Sequence, residues 1–110
     1  MSIRILTTNP NALLQAIKKS ISDGHVETWQ VDKEGDFTHS PIQWRNKAWL
    51  RPSLDATALV MYIIRPQDRN VSKEVYAVYH GRFIEMMMAH FDSSFSSANA
   101  SAMPQHGDRV

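Results

Sequence analysis

Residues 72–95, SKEVYAVYHGRFIEMMMAHFDSSF, decide how the rest of the chain is read. At about 100° per residue, Tyr76, Tyr79, Phe83, Met86 and Met87 share one arc of a helix, and Ile84, Met88, Phe91 and Phe95 share a second arc beside it. Together they span roughly 200°, more than one sheet face covers. The first arc is therefore assigned to the core. The second needs another cover, which can be a helix of the same chain or another molecule. Ala77 and Gly81 lie at its margin. A mid-helix glycine costs about 1 kcal/mol against alanine, and this pair would let a second backbone come close.

Working outward from that helix, Thr57–Ile64 (TALVMYII) is apolar at nearly every position, which predicts a strand in the centre of a sheet or covered on both faces. At the start of the chain, Ile3–Thr7 suits a short strand. Asn9 and Pro10 then supply a side-chain cap and a proline at the first helical position. Leu13, Leu14, Ile17 and Ile21 form the single stripe of a first helix, which Asp23-Gly24 ends. Residues 25–31 (HVETWQV) and 37–39 flank the glycine-containing turn DKEGD at 32–36, a hairpin pattern. Ser40-Pro41-Ile42-Gln43 has the form of a capping box and predicts a short helical turn to about Asn46, with an extended segment through 48–53.

The order is β-α-β-β-(short α)-β-β-α: an α+β two-layer sandwich, with a mixed or mainly antiparallel sheet and two main helices on one face. Residues 1–96 form one domain. Residues 97–110 (SANASAMPQHGDRV) have no periodic apolar residues, and their composition predicts a disordered polar tail.

A chain of 110 residues can bury a core without staples. Its formal net charge of +1 gives no bulk attraction to nucleic acid or anionic lipid, so any such contact would need a local patch. Having no cysteine, the chain has no disulfide or thiolate chemistry. No apolar run is long enough to span a bilayer, and the expectation is a cytoplasmic protein without a membrane association.

Chemistry-bearing residues are sparse. Gln43–Pro52 (QWRNKAWLRP) concentrates Trp44 and Trp49 with Arg45, Lys47 and Arg51. Were the later part extended, Arg45, Lys47, Trp49 and Arg51 would share one face. Tryptophan beside arginine can anchor a protein or an acidic ligand, or stack a base. The alternative is that both indoles are core residues whose basic neighbours are solvated. His39 extends this candidate surface beside the hairpin turn. His90 falls within the core-facing arc, which predicts a buried neutral imidazole. Asp36 and His39 fall on opposite faces of a regular strand, and His80 and His90 are ten apart, so no metal site is assigned. The glycines form no phosphate-cradling loop, and no cofactor is assigned.

These features point to a small non-catalytic interaction module of unknown ligand. Self-association through Ala77, Gly81, Ile84, Met88 and Phe91 would make it a homodimer. The alternatives are a hydrolase-like or isomerase-like enzyme using His39 and His80, and a nucleic-acid binder using Trp49 and its basic neighbours.

Overall fold

The computed structural model describes residues 1–110. Its elements are β1 (Ile3–Leu6), α1 (Pro10–Ser22), β2 (Trp29–Val31), β3 (Phe37–His39), β4 (Trp49–Leu54), β5 (Ala58–Ile64), α2 (Lys73–His90) and β6 (Ser97–Ala100). The six strands form one sheet in the order β2-β3-β4-β5-β1-β6, with every neighbouring pair antiparallel. This is an α+β fold.

Registry explains which side is the core. Ile3 pairs with Met61, Ile5 with Leu59, and Leu50 with Ile63, so these six side chains project to one face, and each is fully buried. Leu13, Leu14 and Ile17 of α1 join the same cluster, as do Tyr79, Phe83 and Met87 of α2. Both helices thus lie on that face. At about 1.5–3 kcal/mol per fully buried large side chain, this layer supplies the main driving force for folding. β5 is central, between β4 and β1, as its unbroken apolar run requires.

Local signals act as their chemistry dictates. Asn9 accepts from the Ala12 amide at the start of α1, and Ser72 accepts from the Val75 amide at the start of α2. Gly24, at φ +82°, follows the Asp23 cap. Ser40 does not close the expected capping box. Its hydroxyl donates to the Glu27 carbonyl and its amide to Thr28, which leaves 41–45 a single turn that stops at Asn46, φ +61°.

Expectations about α2 and about the C-terminal segment need correcting as well. The helix expected over 72–95 ends at His90. Phe91 leaves helical geometry, the Ser94 amide bonds back to the Phe91 carbonyl, and Asp92-Ser93-Ser94 forms a turn that brings Phe91 into the core. His90 is exposed, because it is the last residue of the helix and not an internal member of the packed arc.

The second correction concerns 97–110, expected to be disordered. In the structure this segment adds β6 to the free edge of β1, and the chain then returns across the β5 end. The Asp108 carboxylate accepts from the Ile63 amide (3.0 Å) and the Gln105 amide (2.7 Å), and the Arg65 amide donates to the Arg109 carbonyl (2.8 Å). Backbone pairing and one buried carboxylate hold the segment. Apolar burial contributes little, and apolar burial is what composition reports.

Gly107 tests this placement. It sits at φ +93°, and a β-carbon there would lie 2.2 Å from a ring carbon of Tyr62. Gly107→Ala is expected to cost about 1–3 kcal/mol in chemical denaturation, with faster hydrogen exchange at the Ile63 and Arg65 amides. A silent substitution would mean that the segment does not pack on β5.

Candidate functional site

Three places in the fold could carry function: the buried histidines, the outer face of α2, and a cleft at the end of β4 and β5.

His39 and His80 do not converge. His39 is 5% exposed and lies against Trp29 (ring centroids 4.7 Å apart) and Tyr79 (6.1 Å). It is therefore a core residue and not part of the surface expected around Trp49. The sequence hid this because β3 is buried at all three positions, Phe37, Thr38 and His39. Its Nδ1 has no partner, and neither has Trp29 Nε1, a cost of about 1–3 kcal/mol for each buried polar group left unmade.

His80 is 4% exposed, stacks on Tyr76 (3.9 Å) and bonds through Nδ1 to the Tyr76 carbonyl (2.6 Å) and through Nε2 to the Ser2 hydroxyl (2.7 Å). Ser2 also lies 3.3 Å from Asp108. Its hydroxyl has one proton for two claimants. Burial pushes the His80 pKa down and so favours the neutral ring. In that state Nδ1–H donates to Tyr76, and Ser2 donates to Nε2 over the shorter distance. Nothing in this arrangement presents a base or a nucleophile to solvent.

The outer face of α2 is open. Tyr79, Phe83, Met86 and Met87 are buried as expected, Tyr76 is only half-buried, and Val75 is buried as well. Of the second arc, Phe91 goes into the core, Ile84 is half-buried, and Ala77, Gly81 and Met88 are exposed, Met88 at 62%. A β-carbon built on Gly81 would meet nothing within 4 Å. α1 packs over β2, β4 and β5 and does not cover this stripe. Arg82 and Glu85 border it and pair with each other at 3.1 Å.

The basic tryptophan segment divides. Trp44 is half-buried against the core and gives its carbonyl to the Tyr79 hydroxyl, with the Lys47 ammonium 6.0 Å from its ring centre. Arg45 donates to the Ser40 carbonyl. Because 41–46 is a turn, Arg45 and Lys47 do not join Trp49 and Arg51 on one strand face. Trp49 and Arg51 do share a place: they line a cleft of about 480 Å³ with Asp32, Glu34 and Asp36 from the β2–β3 turn and with Arg65 and Arg109. Arg51 grips Asp36 through two bonds (3.1 and 2.9 Å), and this raises the guanidinium pKa further. Asp32, Glu34 and Asp36 lie within 4.8 Å of one another, but the turn already explains their spacing. Asp32 accepts from the amides of Glu34 and Asp36, and Arg51 occupies Asp36.

Comparison with protein families, curated proteins and solved structures finds no match. The site must be read from its own chemistry. Arg65 and Arg109 were missed in the sequence because they are far apart in the chain. They meet only through the parallel bridge between Ile64 and Arg109, in a segment whose composition suggested disorder.

The histidines give a pH dependence. Burial is the main cause lowering the pKa of both His39 and His80 from 6.5. As pH falls through 6.5 the unfolded chain takes up protons before the folded one, so stability is complete above that value and declines below it. The urea midpoint should hold near neutrality and drop between pH 6.5 and about 5, above the range where ordinary carboxylates titrate. His39→Gln and His80→Asn should each flatten that drop. An unchanged slope in both variants would assign the effect elsewhere.

Proposed function

We propose that this protein is an interaction module in which the outer face of α2 joins two copies of the chain. The observation that carries the reading is the self-complementarity of that face. A two-fold axis crossing a pair of antiparallel α2 helices between Phe83 and Ile84 sets Arg82 of each copy opposite Glu85 of the other. The same axis lays each Met88 over the gap between the other copy's Ala77 and Gly81, and brings the two Ile84 side chains together at the centre. Charge, bulk and space are matched by one symmetry operation, as an isologous dimer requires.

The exposed side chains fit these roles. Gly81 leaves open the room that a methionine needs, and methionine adapts its shape to such a gap. Arg82 and Glu85, paired within one helix, can exchange partners across the axis with little loss. The 18-residue helix is roughly 27 Å long, so the face is smaller than a standard interface of about 800 Å² per partner. A dissociation constant on the order of micromolar is expected.

Sedimentation of the wild-type chain across a concentration series should show reversible dimerisation. Met88→Glu should abolish it and leave the melting temperature unchanged at concentrations where the wild type is monomeric, since Met88 is exposed in the monomer. Arg82→Glu and Glu85→Arg should each weaken association, and combining them should restore it. A monomer at every concentration would overturn the reading.

A further inference from the structure

The charges of the β4–β5 cleft are sorted by sign. Asp36 and Arg51 neutralise each other at its centre, beside Trp49. What remains is Asp32 and Glu34 on the wall made by the β2–β3 turn, and Arg65 and Arg109 on the wall made by the end of β5 and the returning chain. All four are exposed, and none makes an ion pair. Neither arginine side chain is tied by a hydrogen bond, although the backbone bonds between residues 65 and 109 fix where both are rooted. Between the walls, Trp49 and Ile64 are direct cross-strand partners, and Arg109 bridges Ile64 from the other side. An apolar floor therefore separates Asp32 and Glu34, which make no ion pair, from the two unpaired arginines.

We infer that this cleft binds a dipolar ligand of the ω-amino-acid class, with an ammonium and a carboxylate at opposite ends of a short apolar chain. A lysine at the end of a peptide presents those groups. The ammonium would meet Asp32 and Glu34, the alkyl chain would lie along the Trp49 indole, and the carboxylate would be held by Arg65 and Arg109, guanidinium being the better partner for a planar anion. From β3 the end of β5 is two strand spacings away and the returning chain three, roughly 10 and 14 Å between backbones, and side chains reaching inward from both walls reduce that to the span of a short alkyl chain. A polyanion suits the cleft less well, because its charge would run against Asp32 and Glu34. Tryptophan beside arginine suits an acidic ligand, and the opposing acidic wall narrows that class to ligands that also carry a cation.

Calorimetric titration with 6-aminohexanoate, hexanoate and hexylamine tests the inference. The ω-amino acid should bind at least tenfold more tightly than either singly charged analogue. Glu34→Gln should remove most of its advantage over hexanoate, and Arg65→Gln most of its advantage over hexylamine. Both positions are exposed and unpaired, so the variants should fold, as the circular dichroism spectrum would check. Nα-acetyl-lysine binding more tightly than free lysine would assign the site to a peptide terminus, and the reverse to the free amino acid. Equal binding of hexanoate and 6-aminohexanoate, tighter binding of a short oligonucleotide than of either, or no heat with any of these ligands would overturn the inference.

Discussion

The packing of Tyr79 and Phe83 against the Trp29 indole fixes the rotation of α2 about its own axis. Both rings meet the indole edge-on, at 5.7 and 5.3 Å between centroids, and Phe83 also meets Phe37 edge-on at 6.0 Å. Such pairs add about 0.5–1.5 kcal/mol each beyond their burial. Tyr79 is held further by its hydroxyl, which reaches both Thr38 and the Trp44 carbonyl. A helix with an apolar arc of roughly 200° could roll onto the sheet in several orientations. The aromatic arc and the tyrosine hydroxyl select one. The exposure of Ala77, Gly81 and Met88 follows from that choice, because a helix that presents 79 and 83 inward must present 77, 81 and 88 outward.

The same constraint shapes the surroundings of the 41–46 turn. Thr38 accepts from the Asn46 amide and bonds the Ala48 carbonyl, so the turn is tied to β3 by the hydroxyl that meets Tyr79. Trp44 is thereby held at the edge of the core. This is why the basic tryptophan segment, contiguous in sequence, serves two ends of the molecule. Its first half closes over Tyr79, and its second half enters β4, where Trp49 and Arg51 face the cleft.

Much of the architecture was legible in the chain because it rests on local rules. The Asn9 and Ser72 caps, the stripe of α1, the 32–36 turn and the two-sided burial of β5 each follow from residues close in sequence. What was not legible depends on pairing over long distances. β6 has no apolar signal of its own and exists because β1 offers a free edge. The burial of His39 depends on α2 packing over β3, some forty residues downstream. Arg109 reaches the cleft because the Asp108 carboxylate captures the Ile63 amide and backbone bonds between 63, 65 and 109 set the chain beside β5. The outer face of α2 was visible as a surplus of apolar surface; which of its residues remain uncovered was decided by the rotation of α2 against Trp29, while Phe91 turns inward where the helix stops.

The position of the cleft is as informative as its composition. Asp36 to Arg51 is the one ion pair in it, and the carboxylate side chain is only 6% exposed while the guanidinium remains 45% exposed. A pair that is buried on one side keeps its geometry while leaving donors of Arg51 toward the cleft. It therefore orders the turn at 32–36 relative to β4 and sets the acidic wall at a fixed distance from the indole. Across the floor, the backbone bonds of residues 63, 65 and 109 fix the opposite wall in the same way. Both walls are thus rooted in hydrogen-bonded backbone, and only the ends of long side chains are free to adjust. That combination would lower the ordering cost for a ligand of the proposed kind, since the frame is already built.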